Sequence, residues 1–312
     1  MHAEFGPKIA TPAVHHRLLH KVRPPARSEH KIPLVSIGVA PASLRWILRL
    51  ALFLVSAVAA TAADGTSAAK PVFLYSRYFN AEGETRYLPD GTYQQVLQRL
   101  KTQFEVRANG EPLTDASLNG VKVILIANPS DQAVPGHPAP HHFSAPDIAV
   151  LTRHVRNGGG LIILGNQENH NLEVEDTNKL LDAFGLGFTN LYTDVKKLTV
   201  PLSTPVIGGL TWAYYTGNLL ELKASHPARP RALVMNDLTQ KPLNGTRDQP
   251  GVLLAVAELG RGRVVVATDA GWITNDVLAD KGIGGVVITN HDNWEIFRRL
   301  TCWAAGLDGQ SR

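Results

Sequence analysis

Apolar residues in this chain gather in short, unalternating runs separated by polar or glycine-rich stretches. Four of these runs read as buried strands: Pro71 to Tyr75, Val121 to Ala127, Leu161 to Gly165 and Arg263 to Thr268. Between them the spacing turns helical. Thr92 to Thr102 places Val96, Leu97 and Leu100 on one face. Ser144 to Arg156 has Ser144 at a cap position, Pro146 and Asp147 in its first turn, and Ile148, Leu151 and Val155 inward. Asn157-Gly158-Gly159-Gly160 stops that helix, Asp176 to Phe184 ends likewise at Gly185, and Asn293 to Ala305 closes the chain. Runs without alternation mean strands covered on both faces, and their alternation with helices means a parallel sheet wound by right-handed crossovers. The expected fold is therefore α/β, a flavodoxin-like, doubly wound, mostly parallel sheet. From Leu186 to Leu259 the rhythm breaks into short β-leaning segments at Lys197 to Pro201, Leu219 to Leu222, Ala232 to Met235 and Val252 to Glu258. These predict an antiparallel β insertion or extension within the same domain.

Upstream, the apolar stretch Leu50 to Ala60 follows Arg45 and Arg49 and runs into small residues through Ala60-Thr61-Ala62-Ala63. That is the order of a secretory signal peptide. A membrane span needs about 20 apolar residues, which Trp46 to Ala60 approaches only by counting Arg49 and the small tail. Cleavage is expected near Ala62 or Ala63, making residues 1–62 a leader and 63–312 the mature domain of an exported bacterial protein, periplasmic or extracellular, with no membrane span after cleavage. Residues 1–41 show no apolar periodicity and are expected to be disordered or untranslated. Met1 is the only methionine before Met235, so a later start needs a non-AUG codon, and Val39 is the candidate.

Removing the leader changes the charge. The whole chain has 31 Lys+Arg and 27 Asp+Glu, net +4; 8 and 2 of these fall before residue 63, leaving 23 against 25 and a net charge of −2. Such a balance gives no electrostatic footprint for nucleic acid or an anionic membrane, and neither is an expected partner. The single cysteine, Cys302, lies among Ile296, Phe297, Leu300 and Trp303 and reads as a buried structural thiol.

In open α/β sheets ligands bind beyond the carboxyl ends of the strands. Those ends carry Arg77-Tyr78-Phe79-Asn80, then Asn128 with Ser130 and Asp131, then Asn166-Gln167-Glu168-Asn169-His170, and finally Asp269 with Trp272 and Asn275. Amides, carboxylates and aromatics suit a neutral polyhydroxylated ligand more than a phosphate. The candidate ligand-binding residues are Asn80, Asn128, Asn166, Glu168, Asn169, Asp269 and Trp272, although the same residue types serve as ordinary turn and cap residues. Glu168 and Asp269 are also the candidate catalytic pair, because glycoside chemistry needs two carboxylates at a defined separation.

Other motifs read as structure. Gly158-Gly159-Gly160 precedes its strand, whereas phosphate-cradling glycines follow theirs. The histidines of Pro140-His141-His142 sit in a proline-rich loop without metal-ligand spacing, and no metal or other cofactor is expected. Glu173, Glu175 and Asp176 read as a charged first turn, and Asp292-Asn293 as the N-cap of the last helix. No G-x-S-x-G elbow occurs.

Arg156-Asn157-Gly158-Gly159-Gly160-Leu161-Ile162-Ile163-Leu164-Gly165, then Asn169-His170-Asn171 and Asn178-Lys179-Leu180-Leu181-Asp182-Ala183-Phe184-Gly185-Leu186, form a recognisable series. Phe79-Asn80 after the first strand and Gly260-Arg261-Gly262-Arg263-Val264-Val265-Val266-Ala267-Thr268-Asp269, leading to Asn293 and Trp303, agree with it. Over nearly all of the mature chain this resembles the class I glutamine-amidotransferase-like domains. It is most similar to the poorly characterised branch found alone or appended to bacterial unsaturated rhamnogalacturonyl hydrolases. The resemblance implies work around pectic polysaccharides. It also tells against glutaminase activity: that family's nucleophilic cysteine follows the strand matching Leu161 to Gly165, where this chain has Gly165-Asn166-Gln167-Glu168, and Asn supplies no thiolate.

Three functional expectations result. The first is an exported, non-catalytic domain binding a carbohydrate, such as a pectic or other polysaccharide fragment, or a partner protein of the envelope, at the strand-end cleft. The second is a carbohydrate-active hydrolase using Glu168 and Asp269. The third is an envelope interaction scaffold with an exposed apolar patch around Trp212, Tyr214 and Tyr215.

Overall fold

The computed structural model describes residues 69–308. The expected leader, its cleavage point and Val39 lie outside the described residues. Among the described residues no helix is long and apolar enough to cross a membrane.

In chain order the elements are β1 (Val72–Ser76), α1 (Gln94–Leu100), β2 (Glu105–Asn109), β3 (Val121–Ala127), α2 (Ala145–Arg156), β4 (Gly160–Leu164), α3 (Glu175–Asp182) and β5 (Leu186–Thr199). There follow β6 (Thr211–Tyr214), β7 (Gly217–Leu222), β8 (Arg231–Asn236), β9 (Asn244–Asp248), β10 (Gly251–Leu259), β11 (Gly262–Ala267), α4 (Asn275–Leu278) and α5 (Asn293–Ala304). Five strands, ordered β2-β1-β3-β4-β11, pair in parallel. That is the flavodoxin-like order 2-1-3-4-5. An antiparallel extension continues through β10, β7, β5 and β6, with β8 on β10 and β9 on β5. The chain thus adopts the expected α/β fold, and Leu186 to Leu259 extends the same sheet.

Alternate residues of β1, β3, β4 and β11 feed two cores. Phe73, Tyr75, Val123, Leu125, Ile162, Leu164 and Val265 pack with Val96, Leu97 and Leu100 of α1 and Ile296, Phe297 and Leu300 of α5. From the other face Leu74, Ile124, Ile126, Ile163, Val264 and Val266 meet Leu151 and Val155 of α2 and Leu180 and Leu181 of α3. Each such side chain contributes roughly 1.5–3 kcal/mol on leaving water. α2 starts in a capping box, with Ser144 N donating to Asp147 Oδ2 at 3.0 Å, and ends as Gly158 turns to φ +104°. Gly160 then opens β4 so near α5 that a Cβ there would sit 2.6 Å from the Ala304 carbonyl oxygen.

Three strands, β2, β6 and β9, escaped the sequence pattern, and β5 was read only at its end. β2 is a largely exposed edge whose Arg107 Nη2 lies 2.7 Å from Glu105 Oε1, so it offers no apolar run. β6 was taken for part of an exposed patch, and that expectation is overturned: Trp212 and Tyr214 are 0% exposed and Tyr215 only 3%. Trp212 packs edge-on to Trp272 with ring centroids 5.4 Å apart, inside the core that α5 covers.

Two caps need separate treatment. Glu173 caps α3, accepting from Asp176 N at 2.7 Å and Thr177 N at 2.8 Å. Asp292 occupies the N-cap position of α5 but makes no capping bond; its carboxylate accepts from Thr211 N of β6 at 2.8 Å instead. Cys302 is buried as expected, its Sγ 3.1 Å from Gln103 Oε1.

Candidate functional site

A cleft of about 660 Å³ lies beyond the carboxyl ends of β4 and β11. The antiparallel extension supplies its other wall through Asp194 of β5, Thr216 between β6 and β7, and Asn244 of β9. A small hairpin finger, Gly282 to Val286, contributes an apolar margin; its Ile283 and Val286 exchange both backbone hydrogen bonds around Gly284 and Gly285, each at positive φ.

Hydrogen bonds tie the polar wall together. Asn166 Nδ2 donates to the Tyr87 hydroxyl at 2.6 Å, while its Oδ1 accepts from Gln167 N at 3.0 Å and faces His170 Nδ1 at 2.9 Å. Gln167 Nε2 lies 3.1 Å from His170 Nε2. These partners assign the imidazole proton to Nδ1. On the far side, Gln167 Oε1 accepts from Arg247 Nη2 at 2.8 Å and stands 3.3 Å from Thr216 Oγ1. Thr216 holds φ +143°, a costly conformation for a β-branched residue. Its neighbour must be glycine, since a Cβ on Gly217 would fall 2.0 Å from the Thr268 carbonyl oxygen.

Both arginines of this region are held by carboxylates. Arg247 Nε donates to Asp194 Oδ1 and its backbone N to Oδ2, each at 2.8 Å. Burial opposes the Asp194 charge, but these bonds outweigh it and hold the carboxyl below its ordinary range. Arg86 likewise clasps Glu84, with Nε 3.0 Å from Oε1 and Nη2 2.5 Å from Oε2.

Asp269 closes the floor at 2% exposure. Its Oδ2 accepts from Tyr215 N at 2.8 Å and its Oδ1 from Gly271 N at 2.5 Å, so one carboxylate fastens two cleft-lining segments to the end of β11. Burial raises it to about 7 despite those bonds. Tyr87 is pushed upward too, first by burial and then by the charge of Asp269.

The seven sequence candidates divide. Asn166 and Asp269 line the cleft. Asn80 uses its amide nitrogen on the carbonyls of Ala127 and Asn128 at 3.0 and 2.8 Å and lines a different cavity. Asn128 is fully buried at φ +48° and donates to the His170 carbonyl at 3.0 Å. Asn169 is exposed on the short turn Glu168–His170. Trp272 is 1% exposed and packs edge-on against Trp212 and Phe297. The Glu168 side chain lies outside the described residues.

The cleft also draws on Tyr87, Gln167, His170, Asp194 and Thr216, with Arg247 behind them. Asp194 lies in the part of β5 that the sequence reading, which begins its strand at Lys197, leaves out. Apart from the cleft, His142, Glu173 and Asp176 bring their donor atoms within 4.8 Å of one another. Both Glu173 oxygens already cap α3, and Lys179 Nζ sits 2.6 Å from Asp176 Oδ1, an arrangement ill suited to a cation.

No family model matches the chain. The solved mmIFT52 N-terminal domain aligns with 75% of this chain and 97% of its own, at 16% identity and a TM-score of 0.56. The likeness is one of fold. The intraflagellar transport protein 52 homolog of Homo sapiens is 20% identical over 112 residues, 36% of this chain and 23% of its own length. The chain thus matches about a quarter of that relative. A ThuA-like protein from Parabacteroides merdae, of class I glutamine-amidotransferase-like fold, covers 76% of this chain and 90% of its own at 12% identity. Its TM-score is 0.45.

Proposed function

We propose that this protein is an exported, non-catalytic domain that binds a carbohydrate in the cleft beyond β4 and β11. The observation that carries the reading is the polar wall running from Tyr87 through Asn166, His170 and Gln167 to Thr216, with Arg247 neutralised by Asp194. Amides and hydroxyls offer paired donors and acceptors to sugar hydroxyls, and the apolar finger faces the carbon side of a ring. A phosphate or other strong anion would have to displace a carboxylate from Arg247 or Arg86.

The hydrolase reading is weaker. Asp269 is enclosed and engaged by backbone N–H groups, where a glycosidic acid or base must reach the scissile oxygen or a water. The scaffold reading has lost the patch at Trp212, Tyr214 and Tyr215 on which it stood. The finer resemblance, to the branch appended to unsaturated rhamnogalacturonyl hydrolases, supports the plant cell wall as the ligand source, while the carboxylate-held arginines favour its neutral glycans over its uronate-bearing pectic chains. Glycan-array screening of the purified protein tests the proposal: retention on cell-wall oligosaccharides supports it, and a blank array contradicts it.

A further inference from the structure

A second cavity of about 490 Å³ is lined by Asp131, Glu173, Glu175, Asn178, Asn190 and Tyr192. The two share β5: Asn190 and Tyr192 face the second cavity, and Asp194 faces the first. One guanidinium touches both places. Arg247 bonds Gln167 and Asp194 of the first cavity and lies 5.5 Å over the Tyr192 ring of the second.

The second cavity is acidic. Glu173 is engaged in capping α3, Glu175 faces Lys179 at 3.3 Å, and Asp131 is exposed at the rim. No lysine or arginine is among the described residues of that lining, so its balance of charge disfavours a carboxylated sugar relative to a neutral one.

We infer that the two cavities are consecutive subsites of one groove, and that the ligand is an uncharged oligosaccharide of several units rather than a single sugar or a polyuronate. This rests on the carbohydrate reading of the first cavity and adds length and charge selectivity to it. Tyr192 and Asn190 supply the second subsite with an aromatic ring and an amide; Asp131 sets its sign. A ligand bridging the two passes over the ridge where Arg247 lies against Tyr192.

Calorimetric titration of the purified protein with cello-, manno- and xylo-oligosaccharides of increasing length, from disaccharides upward, and with oligogalacturonides of matching length, tests this. The expected result is an affinity that rises at least about tenfold between the dimer and the longer neutral chains, equivalent to about 1.4 kcal/mol, with oligogalacturonides several-fold weaker. Tyr192→Ala should flatten the length dependence. Because the Tyr192 ring touches Arg247, the exposed Asp131→Lys is the second probe; it should reverse the preference against oligogalacturonides. Length-independent affinity, or equal binding of polyuronates by the unaltered protein, overturns the second subsite while leaving the first intact. Absence of binding to every saccharide at every length overturns the carbohydrate reading and this inference with it.

Discussion

The carboxamide of Asn293 closes both backbone hydrogen bonds of Ala213: Oδ1 accepts from Ala213 N at 2.8 Å and Nδ2 donates to Ala213 O at 2.9 Å. A side chain at the start of α5 thereby does for the outer edge of β6 what a further strand would do. The same Nδ2 lies 2.6 Å from the Trp272 carbonyl oxygen, joining β6, α5 and the turn above the cleft. Asn293 is 0% exposed.

Truncating it leaves buried backbone groups without partners. Asn293→Ala should cost about 2–4 kcal/mol, read as a lower urea midpoint at unchanged slope. A loss below about 0.5 kcal/mol would mean that water replaces the amide at no cost and that the edge needs no closing.

Asp269 makes stability depend on pH with a definite sign. Burial raises it from the ordinary 3.8 to about 7, so the folded protein holds a proton that the unfolded chain has released. Its contribution is complete below about pH 4 and is lost as pH rises to about 7, on the order of 4 kcal/mol across the window. Urea unfolding of the wild type and Asp269→Asn at pH 5 and pH 8 isolates it. The stability difference, wild type minus variant, should be smaller at pH 8, and a difference that grows with pH contradicts the assignment.

Glu295 has the opposite sign. Hydrogen bonds from Arg298, then from Arg299, outweigh its burial and lower it to about 2, so its contribution is present above its ordinary value of 4.5 and fades as pH falls toward 2. The group is close to one-third exposed, and solvent screening holds the effect to about 1 kcal/mol or less. Thermal melts of Glu295→Gln should fall slightly below the wild type at pH 6 and converge on it as pH falls toward 2.

The parallel half of the molecule was legible in the sequence because its strands are covered on both faces and so appear as unbroken apolar runs. Glycines at 158, 160 and 185 punctuate it at the places where the backbone turns or passes close to a neighbour. The extension was harder to read. Trp212 and Tyr214 look like surface aromatics until α5 and Trp272 close over them, a long-range contact that no local pattern contains. The site behaves likewise. Asn166 and Asp269 sit at parallel strand ends, where a topological rule finds them, whereas Tyr87 comes from the long loop between β1 and α1, and Asp194 and Thr216 come from the antiparallel extension.

Asp194 holds Arg247 at the cleft by two hydrogen bonds, and the carbohydrate reading makes charge selectivity depend on that pairing. Asp194→Asn leaves the guanidinium without its carboxylate, and the variant should bind glucuronate or galacturonate several-fold more tightly than the wild type. Calorimetry with these monosaccharides at low salt measures it, and unchanged affinity for the acids would show that Asp194 does not control the sign of the site.

Gln167 stands at the middle of the polar wall, between His170 on one side and Thr216 and Arg247 on the other. Calorimetric titration of the wild type and Gln167→Ala with neutral cell-wall oligosaccharides is the direct measurement. A saturable heat for the wild type and at least a tenfold loss in the variant, about 1.4 kcal/mol, are the outcomes expected of a carbohydrate-binding cleft; no heat with any saccharide, or equal affinity in the two proteins, contradicts it.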